Sequence, residues 1–236
     1  MINIIEDFIP KGRRSRPGLA NPMNFITIHN TGNSNRSSNA RAHANYLRGD
    51  TAAGLPVSWH YTVDDGIVIQ HLPDNETAFH AGDGSGPGNR QSIGIEICQN
   101  ADGNLLLATN NAAMLCAILC TRHNIATKNI VQHNFWSGKN CPQELRANRP
   151  YSWTTFLSKV DDYVKELYVI PPELPRPPAP DERTPEEIIV DNAFELGILG
   201  DRAYWLGVIR GTITPRPEFI KGLLSNAVGI VESYKQ

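Results

Sequence analysis

Seven prolines crowd into residues 171–185 (Pro171, Pro172, Pro175, Pro177, Pro178, Pro180 and Pro185), and no other feature limits the fold of this chain as strongly. Proline has no backbone N–H and a fixed φ, so neither a helix nor a sheet ladder runs through such a stretch. It favours an extended, semi-rigid polyproline conformation instead. The 236 residues therefore divide into a domain over 1–170, a linker over 171–185 and a small module over 186–236. The first part is long enough to bury a single core. The formal net charge is −2, whereas nucleic-acid binders carry a basic excess that neutralises phosphates, so no nucleic-acid partner is expected. Residues 181–236 are mildly acidic, with nine acidic side chains against six basic ones. No uninterrupted apolar run approaches the roughly 20 residues of a membrane helix. Met1-Ile-Asn-Ile-Ile-Glu-Asp-Phe8 lacks a basic segment followed by an apolar one. The expectation is synthesis in the cytoplasm without a signal peptide, and no membrane insertion.

Before the linker, strand and helix patterns mix. Phe25-Ile-Thr-Ile-His29 alternates, which sets Phe25, Thr27 and His29 on one face and Ile26 and Ile28 on the other. Trp59–Val63 and Ile67–His71 flank Asp64-Asp65-Gly66, a hairpin signal. Ser92–Cys98 reads as a further strand, with Glu96 opposite to Ile95 and Ile97. Helices are expected over about 37–48, about 110–124 behind Thr109 and Asn110 as caps, and about 154–167 behind Ser152. This order fits an α/β fold, a mixed central β-sheet flanked by helices. After Pro185 the apolar residues recur at helical spacing, with further helices over about 201–210 and 215–233, so the C-terminal module reads as small and all-helical.

The four cysteines are too few for a disulfide framework in a domain of this size. Cys116 and Cys120 share one face of the expected helix, and Cys98 ends a strand; buried free thiols suit all three. Cys141 differs, because it follows Lys139 in a polar loop, and a neighbouring cation favours the thiolate. His29 and His133 each end an apolar run. Two imidazoles and a thiolate are borderline-soft donors suited to zinc, with a fourth position left for water. With seven histidines and four cysteines such a triple can always be picked, and 104 residues separate the two histidines. Spacing alone does not select it.

Five blocks then occur in order: Phe25-Ile-Thr-Ile-His-Asn-Thr31, Trp59-His-Tyr61, Phe79-His-Ala-Gly-Asp-Gly84, Ser92-Ile-Gly-Ile-Glu-Ile-Cys98 and His133-Asn-Phe-Trp-Ser-Gly-Lys-Asn-Cys-Pro142. Together they resemble the type 2 N-acetylmuramoyl-L-alanine amidases, zinc enzymes of phage endolysins and bacterial autolysins that share a fold with peptidoglycan recognition proteins. The resemblance covers roughly residues 20–165 and stops before the linker. It implies zinc as cofactor, held by His29, His133 and Cys141, with Glu96 as catalytic carboxylate and Lys139 as catalytic cation. Some relatives use a tyrosine where this chain has Trp59, which is no proton donor of that kind, so the variant built on Glu96 applies. The implied activity is hydrolysis of the amide between N-acetylmuramic acid and L-alanine in bacterial peptidoglycan, during host-cell lysis. A non-catalytic peptidoglycan-binding protein and a zinc peptidase cutting elsewhere in the stem peptide are the rival readings.

His80 falls in a block that borders the substrate groove in that family, and Asn30 and Trp59 are further groove candidates. Asn89 and Arg90 suit either a peptide carboxylate or a solvated loop. His43, His60 and His123 are expected in hydrogen-bonded structural roles. For the C-terminal module, cell-wall binding and homo-oligomerisation are the two expectations. Tyr204 and Trp205 there suit a sugar-stacking surface or, more ordinarily, a helix core.

Overall fold

The computed structural model describes residues 2–168, 184–195, 202–212 and 214. The chain divides into two compact units, Met1–Val169 and Ile170–Gln236. Residues 171–183 of the expected linker and the helix expected over 215–233 lie outside the described residues.

In chain order the first unit contains β1 (Ile4–Glu6), β2 (Phe25–Asn30), α1 (Ala40–Arg48), α2 (Asp50–Ala53), β3 (Tyr61–Val63), β4 (Val68–Gln70), α3 (Pro87–Arg90), β5 (Ser92–Ile97), α4 (Leu105–His123), β6 (Ile130–Gln132), α5 (His133–Ser137), α6 (Gln143–Arg146) and α7 (Trp153–Tyr168). The strands form one mixed sheet in the order β1-β4-β3-β5-β2-β6. Only the β3–β4 hairpin is antiparallel; the other neighbours run parallel. Alternation along each strand separates two faces. Ile26, Ile28, Tyr61, Val63, Ile93, Ile95 and Ile97 turn to one side, where α4 and α7 supply Ala112, Leu115, Cys116, Leu119, Phe156 and Val160 to the main core. Each fully buried side chain of the Ile or Leu kind contributes about 1.5–3 kcal/mol. The other face is mixed: α1 covers Ile69 with Ala40 and Ala44, Thr27 is buried beneath Trp136, and His29 and Glu96 line a cavity.

Several boundaries differ from the sequence expectation. Helix α4 begins at Leu105, five residues earlier than expected, because Asn104 is the cap: its side chain accepts from the Leu107 N–H at 3.1 Å. Thr109, expected as a cap, sits inside and donates to the Leu105 carbonyl at 2.6 Å. Leu106 and Leu107 stay exposed, so they break the apolar periodicity that would have signalled the first turn. Although Thr109, Asn110 and Asn111 interrupt its apolar run, α4 is by length and mean hydropathy long and apolar enough to cross a membrane; here that apolar surface is used in the core against the sheet and α7. Strands β1 and β6 are too short to announce themselves by alternation. All four cysteines are free and buried, Cys141 included, so its surroundings are not those of an exposed polar loop.

Within the second unit, α8 (Pro185–Glu195) and α9 (Arg202–Ile209) are described. Thr184 caps α8: its Oγ1 accepts from the Glu187 N–H at 3.3 Å while Glu187 accepts from the Thr184 N–H at 3.2 Å, a capping box. Pro185 thus occupies the first helical position, where its missing N–H costs nothing. Val190 and Leu206 form a small core joined by Ala193 and Trp205. Arg210 and Arg202 donate to Glu187 and Asp191 at 2.7 and 2.6 Å.

Candidate active site

Strand β2 lies between β5 and β6, and the register of these parallel pairs assembles the site. His29 sits opposite Glu96. Ile28 sits opposite Gln132, so the next residue of each chain segment, His29 and His133, emerges at the same end of the sheet. The 104 residues between them are thereby spanned by lateral pairing. Helix α5 starts at His133 and is capped after Ser137 by Gly138, whose φ of 74° is left-handed and suits glycine. The chain then folds back: the Asn134 N–H donates to the Cys141 carbonyl at 3.0 Å, and the Asn134 amide donates to the Lys139 carbonyl at 2.9 Å. This return brings Cys141 beside the two histidines.

One ligand atom from each of His29, His133 and Cys141 lies within 4.8 Å of the other two, and all three residues are buried. His29 Nδ1 is 2.9 Å from His133 Nδ1 and 3.8 Å from Cys141 Sγ. Burial drives the His29 pKa well below the ordinary histidine value, with His80, His133 and Lys139 adding to the effect. Burial also lowers His133. Both rings are therefore neutral and offer lone pairs. Burial pushes the Cys141 thiol up to about 11, and Glu96 adds to it, against Lys139; the nearby cation does not by itself produce the thiolate expected from the sequence. A coordinated divalent ion deprotonates such a thiol outright. Two facing lone pairs and one thiol without a cationic partner of its own fit a metal ion, and these three residues are the ones that would hold it.

Around this group the cavity measures about 480 Å³. Glu96 Oε1 lies 4.0 Å from His29 Nδ1. Glu96 Oε2 is buried without a hydrogen-bond partner. Burial raises the Glu96 carboxyl to about 7, opposed by Lys139, whose exposed side chain lines the same cavity. His80 Nδ1 meets the far nitrogen of His29, Nε2, at 3.0 Å. With His29 Nδ1 directed at a metal, Nε2 carries the proton and donates to His80, which fixes tautomer and ring orientation. The His80 ring lies against Gly94, where a Cβ would come within 2.7 Å of it. The His80 and Ala81 N–H groups both donate to the Asn89 side chain at 2.7 Å, and the Asn89 amide donates to the Gly84 carbonyl. Asn89 is thus spent on holding this loop and is not available to a peptide carboxylate.

Arg90 is exposed and does not line the cavity, and His43, expected to be hydrogen-bonded, has its Nε2 buried without a hydrogen-bond partner. Asn30 lines the cavity, yet its Oδ1 accepts from the Glu144 N–H at 3.0 Å and its amide points at the Ile97 carbonyl. Trp59 is 8 % exposed and offers an apolar wall with Pro56, Val57 and Phe79; its indole N–H donates to Thr62 at 2.7 Å. His60 is hydrogen-bonded to the Glu76 carbonyl and the Gly94 N–H. His123 pairs with Asp74 at 2.7 Å. Both serve the structure, as expected.

Residues 19–144 match the family model for N-acetylmuramoyl-L-alanine amidase. The chain belongs to this family. N-acetylmuramoyl-L-alanine amidase XlyA of Bacillus subtilis (strain 168) is 48 % identical over 171 residues, covering 72 % of this chain and 55 % of that protein. The corresponding figures for CwlH of the same organism are 44 % over 161 residues, 68 % and 62 %. The chain thus spans little more than half the length of these amidase relatives. The solved catalytic domain of XlyA superposes with a TM-score of 0.63 at 50 % identity, covering 67 % of this chain and 99 % of that domain. The amidase fold thus lies within the first unit. Sequence reasoning passed over one cationic feature near the candidate site, Lys11-Gly-Arg-Arg-Ser-Arg16. Four cations in six residues were its only signal.

Proposed function

We propose that the protein is a zinc-dependent hydrolase of the amide bond between the lactyl group of N-acetylmuramic acid and the L-alanine of peptidoglycan stem peptides. The observation that carries this reading is the convergence of His29, His133 and Cys141 with a buried, unpartnered carboxylate oxygen of Glu96 beside them. When bound, zinc lowers the pKa of a coordinated water to about 7 and polarises the scissile carbonyl. Glu96, with a carboxyl raised to about 7, takes a proton at neutral pH and returns it to the departing nitrogen. The Lys139 ammonium faces the same space and stabilises the developing oxyanion, a contribution of roughly 2.7–4 kcal/mol for a comparable donor. His80 holds the His29 ring. Trp59, Val57 and Phe79 exclude water from one side of the scissile bond, while Asn30 anchors the start of α6. The proposed setting is wall degradation of the endolysin or autolysin kind, by an enzyme made in the cytoplasm that reaches the wall after release.

The test is incubation of purified cell walls with the protein, with and without a chelator, followed by identification of the products. New free L-alanine amino termini, absent with chelator, are expected. Termini elsewhere in the stem would make it a peptidase, and wall binding without soluble product would make it a recognition protein.

A further inference from the structure

Beyond Phe79 and Pro56 the active-site cavity meets a second one of about 620 Å³, which shares those two residues and is otherwise walled by the Gly12–Pro17 loop. Arg13, Arg14 and Arg16 are among its lining residues, and no aspartate or glutamate is. Two of the three are already engaged. Arg16 makes a bidentate pair with Glu76 at 2.7 and 2.6 Å and also donates to the Ile9 carbonyl. Arg13 donates to the Gly49 carbonyl at 2.8 Å and lies 3.9 Å from the Asp50 carboxylate. Among the described residues, no acceptor lies within hydrogen-bonding distance of the Arg14 side chain, although its backbone is fixed by donation to the Ala53 carbonyl at 3.2 Å. An anchored backbone presenting one unpaired planar fork of donors, in an arginine-lined pocket that adjoins the site across Pro56 and Phe79, is suited to a carboxylate.

Resting on the amidase reading above, we propose that this pocket is the peptide-side subsite, where Arg14 binds a free carboxylate of the stem peptide. The charge distribution of the substrate gives the direction. On the acyl side of the scissile amide lie N-acetylated sugars, which carry no charge; on the amine side lies a peptide with free carboxylates. The cationic end of the groove therefore takes the peptide and the opposite end takes the glycan. Arg14 thereby sets both the polarity of substrate binding and a preference for stems with unamidated carboxyl groups.

The experiment uses the full chain and a synthetic N-acetylmuramoyl tripeptide in two forms, one with free carboxylates and one with every carboxyl converted to carboxamide. The wild type is expected to favour the carboxylate form in kcat/KM, with a KM that rises with added NaCl as the exposed charges are screened. Arg14→Gln should lower the carboxylate-to-carboxamide ratio about tenfold, and Arg14→Lys should restore part of it. Cleavage of the carboxamide form by each variant reports that it is folded. A wild-type ratio near one, or a ratio that Arg14→Gln leaves unchanged, overturns the inference while the amidase reading stands. So does an effect of Arg14→Gln confined to walls bearing phosphodiester polymers, which would make the pocket a polyanion contact. Failure of the wild type to cleave either form overturns both readings.

Discussion

A carboxyl near pH 7, two neutral imidazoles and a protonated thiol share one small volume, and each protonation state follows from burial before any neighbour acts. Cys141→Ser replaces a soft ligand by a poor one, so stoichiometric zinc by metal analysis is expected to fall below detection along with activity; full zinc in that variant would remove Cys141 from the ligand set. Glu96→Gln keeps zinc but should lower kcat by about 10²–10⁴, the usual worth of a positioned acid–base group. Gly94→Ala probes the support of His29: its Cβ meets the His80 ring at 2.7 Å, so His80 must shift and release His29 Nε2. A 10–100-fold weaker zinc affinity by competition with a chelator is expected, with near-native metal binding as the contrary result. His29, His133 and Cys141 were readable as a set because five ordered sequence blocks carry them. The engagement of Asn89 and Asn30 in backbone hydrogen bonds was not, since an asparagine reads alike in the sequence whether its amide faces solvent or a carbonyl.

Parallel strands deliver their C-terminal ends to one edge, and ligand sites on such sheets lie there; β2, β5 and the β6–α5 junction follow that rule. The long strands β2 and β5 and the β3–β4 hairpin were legible from alternation. Strand β6 was seen only as an apolar run, because three residues carry too little pattern. The start of α4 was missed because its first turn exposes leucines. At this scale the Arg16–Glu76 pair joins the loop before β2 to the loop after β4. Its hydrogen bonds to Arg16 lower the Glu76 pKa. A carboxylate depressed in the folded state contributes stability above its unfolded pKa, near 4.3, and loses it as pH falls through the folded value. Glu76→Gln should therefore cost about 1–3 kcal/mol at pH 7, leaving Arg16 unpaired, and the gap from wild type in denaturant titrations should close below about pH 4. A constant gap down to pH 3 would mean that the charge of Glu76 contributes nothing.

Across the whole molecule, burial keeps His60 and His71 neutral, with His71 lowered to about 3. The unfolded chain protonates these side chains below about 6.5, so between pH 6.5 and 3 it binds more protons than the folded one. Stability must then fall as pH drops through that window. A thermal midpoint several degrees lower at pH 5 than at pH 7 is expected with chelator present, and His71→Gln should flatten the dependence; a midpoint flat from 7 to 5 would contradict it. The second unit calls for a separate comparison. The full chain is expected to sediment with purified walls while residues 1–170 stay in the supernatant; equal sedimentation would assign wall contact to the first unit, and self-association of the full chain alone would favour oligomerisation. Local rules, which act over a few residues, were enough to define the proline break, the strand faces, the helix periodicity and the five blocks around His29, Glu96 and His133. Bringing those blocks to one sheet edge took strand pairing between segments far apart in the chain, and only that pairing, with the burial it imposes, set the protonation of Glu96 and Cys141 and left Arg14 without a partner beside the site.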